Sequence, residues 1–106
     1  MTFVTISSQE EFETAIKSDC ILVDFNAPWC TPCRLQEPIL EKISKRFGGL
    51  VIVASLNIDN HADIASGLGI QSIPTLIIFK NGKEIQRFVG LQLETTLTGV
   101  LRKLVD

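Results

Sequence analysis

The stretch that most narrows the possible folds is Cys20–Asn26, Cys-Ile-Leu-Val-Asp-Phe-Asn. Its length suits a strand, and both of its alternating faces are apolar except at Asp24. A strand apolar on both faces belongs in the middle of a sheet covered by helices on each side. The chain must therefore supply further strands to flank it and helices for both faces.

The remaining sequence meets that demand. Phe3–Ile6 is a short strand candidate. Ser8-Gln9-Glu10-Glu11 fits a capping box with Ser8 as N-cap and Glu11 at the third helical position, and Phe12, Ala15 and Ile16 continue a helical face to about Lys17. The longest helix is expected from about Pro32 to Phe47, with Leu35, Ile39, Leu40, Ile43 and Phe47 spaced by three and four. Pro38 should kink it, because its ring opposes the Arg34 carbonyl. Gly48-Gly49 ends it with residues that tolerate positive φ. Leu50–Ile58 reads as a second buried strand. Asp59-Asn60 is expected to cap a short helix from His61 to about Ser66. Thr75–Phe79 is a third apolar strand. Asn81-Gly82 is a two-residue hairpin signal, Glu84–Val89 is the partner strand, and Leu93–Val105 is a closing amphipathic helix. The element order β, α, β, α, β, α, β, β, α implies parallel βαβ units ending in an antiparallel hairpin. The expected class is α/β: a mixed five-stranded sheet, with central parallel strands plus a C-terminal antiparallel hairpin, flanked by four helices in a single domain over residues 1–106.

Composition agrees with a packed domain. Hydrophobic residues make up 45% and charged residues 21% of the 106, enough for a core and against disorder. The net charge of −2 is scattered over both signs, which points away from nucleic acid and from membrane surfaces. No apolar run reaches the length of a membrane span. Met1 leads directly into the first strand candidate without a basic and apolar leader, so a cytoplasmic protein is expected.

Three cysteines are an odd number, and two form the run Trp29-Cys30-Thr31-Pro32-Cys33 at the start of the long helix. Residues three apart on a helix share a face, roughly 5–6 Å between Cβ atoms, within reach of a disulfide. Cys30 sits where helix N–H groups and the macrodipole favour negative charge, which lowers a thiol pKa. Cys33, one turn deeper, should be less exposed and less acidic. Pro32 lacks an N–H and fixes φ near the helical value, so it is well placed at a helix start. The competing chemistry is metal. Zinc needs about four ligands, and the other soft candidates are Cys20 and His61. Cys20 lies at the opposite end of its strand from Cys30, roughly 20 Å away at strand rise, so reversible dithiol chemistry with no metal is the expectation. Cys20 itself reads as a buried small hydrophobe, and His61 as a surface or helix N-terminal residue.

The Trp-Cys-x-Pro-Cys run after a strand ending in Asp-Phe resembles the thioredoxin family. So do Ile73-Pro74-Thr75, Pro38, Asn57-Ile58-Asp59, Phe79-Lys80-Asn81-Gly82 and Val89-Gly90, in the same order and over nearly the whole chain. The resemblance implies the thioredoxin fold, whose strand order periodicity does not supply. It implies protein-disulfide reduction with Cys30 attacking and Cys33 resolving the mixed disulfide. No cofactor would be bound, and a thioredoxin reductase using NADPH would re-reduce a monomeric protein. It implies that Asp24 relays protons to and from the second cysteine and that the Ile73–Pro74 bond is cis, facing the cysteines. Trp29, Ile58, Ile73, Pro74, Val89 and Gly90 match positions lining the family's substrate groove, although Ile58, Ile73 and Val89 also suit an ordinary core. Arg34 stands where the family often has Lys, either raising positive potential for partner docking or simply solvated.

Three positions depart from the family pattern. Thr31 replaces a usual Gly and puts a hydroxyl and a stiffer backbone beside Cys30. Ser55 replaces a frequent Lys; it can hydrogen-bond Asp24 but cannot neutralise it, so the Asp24 pKa should be raised. Asn26 replaces a common second Trp. Thr31, Pro32 and Ser55 are the expected tuning residues. Two other readings stay open: a disulfide oxidant or isomerase on the same fold, and a docking or chaperone module without turnover. Retention of both cysteines, Asp24 and Pro74 argues against the second.

Overall fold

The computed structural model describes residues 3–105. Met1, Thr2 and Asp106, which the expected 1–106 domain includes, lie outside the described residues. The elements run β1 (Phe3–Thr5), α1 (Gln9–Ala15), β2 (Ile21–Asn26), α2 (Thr31–Phe47), β3 (Ile52–Asn57), α3 (Ala62–Gly67), β4 (Thr75–Lys80), β5 (Lys83–Val89) and α4 (Glu94–Val105). The five strands form one sheet in the order β1-β3-β2-β4-β5. The strand apolar on both faces is thus the central one.

Local chemistry explains most boundaries. The Ser8 hydroxyl accepts the Glu11 N–H and donates to the Glu11 carboxylate, which makes it the N-cap of α1. The helix tightens after Ala15 into the turn in which Lys17 N–H reaches the Thr14 carbonyl, so it stops short of Lys17. α2 runs unbroken through Pro38 and ends at Gly48, whose φ of 56° an L side chain resists. A short 3-10 turn over Gly48–Leu50 then claims Leu50, which is exposed, so β3 begins at Ile52 rather than Leu50. The Asn81-Gly82 hairpin has positive φ at both residues, 52° and 86°, as a type I′ turn needs.

Two expectations are corrected. Asp59-Asn60 does not cap α3: His61 is its N-cap and supplies no side-chain bond. The third βαβ unit is not parallel either. β2 pairs parallel with β3, but β4 runs antiparallel to β2. α3 has six residues, about 9 Å of helix, against about 20 Å for a six-residue strand. The helix alone therefore does not return the chain to the far end of the sheet. β4 starts at the end where β2 finishes, with Phe25 opposite Thr75, and this places the segment before β4 beside the segment after β2.

The sheet divides the core in two. Leu22, Val53, Leu76 and Ile78 pack with Leu40, Ile43 and Phe47 of α2 and Leu97 and Leu101 of α4. On the other face Ile21, Val23, Phe25, Leu56, Ile77 and Phe79 pack with Phe12 of α1 and Ile64 of α3. Phe12 meets Phe25 and Phe79 edge-on, with centroids 6.3 and 5.8 Å apart, a favourable aromatic geometry. Alternation along β2 puts Asp24 on the same face as Leu22, towards α2.

Candidate active site

Cys30 is the N-cap residue of α2, with extended backbone (φ −90°, ψ 112°), and Pro32 lies in the first turn. Cys30 and Cys33 are disulfide-bonded across that turn, with Cα atoms 5.3 Å apart. The Cys33 N–H donates to Cys30 Sγ at 3.3 Å, so a helix-terminal donor already points at this sulfur. Both sulfurs are buried alike, each residue 5% exposed. The expected contrast in exposure is therefore absent. The reason is that both cysteines share one buried cluster with Ala27, against which Ile58 and Ile73 pack. Cys30 Sγ also lies 3.8 Å from the Ile73 carbonyl oxygen, a contact rather than a hydrogen bond while the sulfur is oxidised. The Ile73–Pro74 bond is cis.

The surroundings sort the groove candidates. Trp29 is 64% exposed, and its indole N–H donates to the Asp59 carboxylate at 3.0 Å. This gives Asp59 a use other than capping α3. Ile58 and Ile73 are half-buried against the cysteines. Val89 is 61% exposed, so it is not core. Gly90 has φ 90° and donates its N–H to the Pro74 carbonyl at 2.8 Å. Its glycine is explained by that backbone conformation, and the space around it is open. Thr31 is exposed and lies one residue from Cys30. His61 is half-buried, and Cys20 is buried beside Lys80, where burial pushes its thiol pKa up.

Behind the pair, a polar cleft of about 220 Å³ is lined by Asp24, Asn26, Cys33, Arg34, Glu37 and Ser55, among others. Asp24 is 2% exposed. Burial pushes its pKa from 3.8 up to about 6; the Asn26 hydrogen bond opposes this, and Glu37 adds to it. Asp24 and Ser55 are opposite each other in the sheet register, yet Ser55 reaches the acid only through a third residue. The Asn26 side-chain amide donates to Asp24 Oδ2 at 3.1 Å and to Ser55 Oγ at 2.8 Å. In place of the direct bond that Ser55 could make to Asp24, an Asn26 bridge joins the two.

Two positioning residues escaped sequence reasoning. Arg34 donates from Nε and Nη2 to the Pro28 carbonyl, at 3.1 and 2.8 Å. The exposed guanidinium ties the loop before the cysteines to the first turn of α2, and no sequence signal marks this. Gln36 is fully buried and brackets the backbone of Gln92: its amide donates to the Gln92 carbonyl at 3.0 Å, and its Oε1 accepts the Gln92 N–H at 2.7 Å. Its signal was available, because Gln36 lies three residues after Cys33 and four before Leu40, a polar residue on a buried stripe.

The family model described as Thioredoxin matches residues 3–103. The chain belongs to the thioredoxin family. A thioredoxin of Synechocystis sp. is 48% identical over 83 residues, covering 78% of each chain. A thioredoxin of Chlamydia pneumoniae is 43% identical over 100 residues, 94% of this chain and 97% of the other. Among solved structures, a mutant thioredoxin from Halobacterium salinarum superposes with a TM-score of 0.91 at 30% identity, covering 98% of this chain and 91% of the other. The sheet order and the four helices are the thioredoxin fold. Like other thioredoxins, the chain is a thiol–disulfide oxidoreductase that acts on disulfide substrates through a redox-active cysteine pair. Among the described residues no cluster of metal-ligating side chains occurs, and no helix is long and apolar enough to cross a membrane.

Proposed function

We propose that the chain is a protein-disulfide reductase in which Cys30 is the attacking and Cys33 the resolving sulfur. The observation that carries this reading is the Cys30–Cys33 disulfide across the first turn of α2, with the Cys33 N–H aimed at Cys30 Sγ. In the dithiol state Cys30 thiolate attacks one sulfur of a substrate disulfide. A Cys30–substrate bond forms, and the other substrate sulfur leaves as a thiol. Cys33 then gives up its proton and attacks Cys30 Sγ. The Cys30–Cys33 bond forms, the mixed disulfide breaks, and the second substrate sulfur leaves as a thiol. The cysteine pair loses the two electrons that the substrate gains. Each departing substrate sulfur takes its proton from solvent, and the protons of Cys30 and Cys33 are given up, the first when the thiolate forms and the second by way of Asp24.

Asp24 receives the Cys33 proton by way of the cleft. Its raised pKa makes it a competent acceptor near neutral pH. Trp29, Ile58, Ile73, Pro74, Val89 and Gly90 form the surface that holds the substrate segment, with the Ile73 backbone free to pair with an extended strand. Thr31, Pro32 and Ser55 tune the pair. No cofactor is bound. A thioredoxin reductase re-reduces the pair with electrons from NADPH, and the protein works as a cytoplasmic monomer of one domain.

Cys33→Ser tests the division of labour. It should trap a mixed disulfide on Cys30 and lose turnover with a protein disulfide. Equal turnover in wild type and variant would remove the dithiol mechanism. The reduction potential, followed through Trp29 fluorescence in dithiol buffers, separates the roles. A value near the about −270 mV typical of thioredoxins fits a reductase, whereas about −180 to −120 mV fits an isomerase or oxidant.

A further inference from the structure

The cleft behind the cysteines contains an arrangement that the thiol chemistry alone does not account for. Along β2, Leu22, Asp24 and Asn26 share a face. The Asn26 side chain folds back over Asp24 and across to β3. Its amide nitrogen lies 3.1 Å from Asp24 Oδ2, 3.3 Å from the Asp24 carbonyl oxygen and 2.8 Å from Ser55 Oγ. A side-chain amide has two N–H donors, so one is committed to β3 and the other to Asp24. Asp24 Oδ1 is buried and has no hydrogen-bond partner among the described residues. The two oxygens of the acid are therefore inequivalent: Oδ2 is occupied as an acceptor, and Oδ1 is open.

We infer that Asn26 is the positioning residue of the buried acid: it holds Asp24 Oδ2 to Ser55 and leaves Oδ1 as the atom that carries and takes up the exchanged proton. The inference rests on the reading of Asp24 as the proton acceptor for Cys33. The groups sharing the cleft with Asp24 are Cys33, Arg34 and Glu37 from α2, Ser55 and Asn57 from β3, and Phe3 and Thr5 from β1. Leu76 of β4 pairs with it in the sheet. Arg34 and Glu37 are the charged ones besides Asp24, and the Arg34 guanidinium is engaged by the Pro28 carbonyl. The acid is thus oriented by a neutral amide. An amide can fix the acid's geometry without holding it ionised as a cation would, so both protonation states remain accessible near neutral pH.

Two measurements on the full chain test this. The first is an NMR titration of the Asp24 carboxyl carbon in the oxidised protein, where the cysteine pair does not titrate. The second is the pH profile of insulin disulfide reduction by the reduced protein. Asn26→Leu keeps the size of the side chain and removes its donors. It should move both the titration midpoint and the rate inflection upward by about one pH unit. The rate at pH 7 should fall about twofold through loss of the ionised form and recover as the pH rises past 8. That recovery separates positioning from simple damage to the fold. Ser55→Ala, which leaves β2 intact, should shift both in the same direction by less, and it serves if Asn26→Leu does not fold. Asp24→Asn should remove the inflection that moves in Asn26→Leu and leave the separate one that comes from Cys30 thiolate formation. If it does, while the Asn26 and Ser55 variants leave the Asp24 midpoint unmoved or move it down, positioning by Asn26 is overturned and proton exchange by Asp24 stands. A rate profile that Asp24→Asn leaves unchanged overturns both.

Discussion

Burial lifts the Asp24 carboxyl from its ordinary 3.8 to about 6, and the same lift has a cost in stability. The unfolded chain releases this proton near 3.8, whereas the folded chain keeps it to about 6. Between those values the folded state binds more protons, so its stability falls as pH rises through that window, and the loss is complete above it. A difference of this size corresponds to about 3 kcal/mol. Asn in place of Asp24 removes the charge and keeps the shape, although its extra N–H donors need partners in a buried site. Asp24→Asn should therefore raise the unfolding free energy at pH 7.5 by about 1–3 kcal/mol and change it little or unfavourably at pH 3.5. Urea titrations at the two pH values check this. A gain equal at both, or a loss at pH 7.5, would contradict the burial of an ionisable carboxyl. The acid thus sits in the fold at a thermodynamic disadvantage at neutral pH, as expected of a group kept for chemistry rather than for packing.

The segment joining β5 to α4 is open to disruption by a single substitution. It carries Gly90, and its Leu91 and Leu93 are exposed. Gln36 holds it to α2 by pairing with both backbone groups of Gln92, and the Gln92 side chain in turn donates to the Gly90 and Val89 carbonyls at 3.2 and 3.3 Å. Gln36→Leu would fill the same volume but leave the Gln92 N–H and C=O without partners. It should cost about 1–3 kcal/mol and speed hydrogen exchange at the Gln92 amide by more than at amides in the centre of β2, which open only with global unfolding and speed up by no more than the lost stability. Unchanged exchange at Gln92 would mean that the pairing does not hold the segment. What was legible in the sequence divides along the same line. The Ser8 cap, the Asn81-Gly82 turn and the apolar stripe of α2 from Ile39 to Phe47 were readable, because each depends on residues within a turn of one another, whereas Leu35, counted on that stripe, is exposed. Gln36 went unread on that stripe, and its partner lies 56 residues away. The direction of β4 was misjudged, because the βαβ rule presumes a helix long enough to cross the sheet and α3 is not. Ser55 was correctly placed opposite Asp24, yet the bond runs through Asn26. Register fixes Cα neighbours, not which side chain has the reach and the donors to fill the space between them.

At the scale of the whole molecule, redox state and folding are linked in one cycle. The end of β2 meets the start of β4, and Ala27, Ile58 and Ile73 pack the cysteine pair from both halves of the chain. The disulfide closes a ring of only four residues, 30–33, yet chain-entropy arguments still assign about 2 kcal/mol to it through restriction of the unfolded state. The oxidised chain should then unfold at a higher urea concentration than the reduced chain, by about that free energy. Around the cycle, the same difference must separate the potential of the folded pair from that of the unfolded pair. At about 30 mV per 1.4 kcal/mol, the folded potential should lie about 40 mV below the unfolded one. Trp29 is the one Trp in the sequence and sits exposed beside Cys30, so its fluorescence can report both unfolding and redox state. Measured in both redox states, with and without urea, it checks the cycle internally. If the reduced form proves the more stable, the fold favours the dithiol over the disulfide. The potential then moves upward towards that of an oxidant, and the environment of Cys30, with Thr31 beside it, becomes the place to look for the cause.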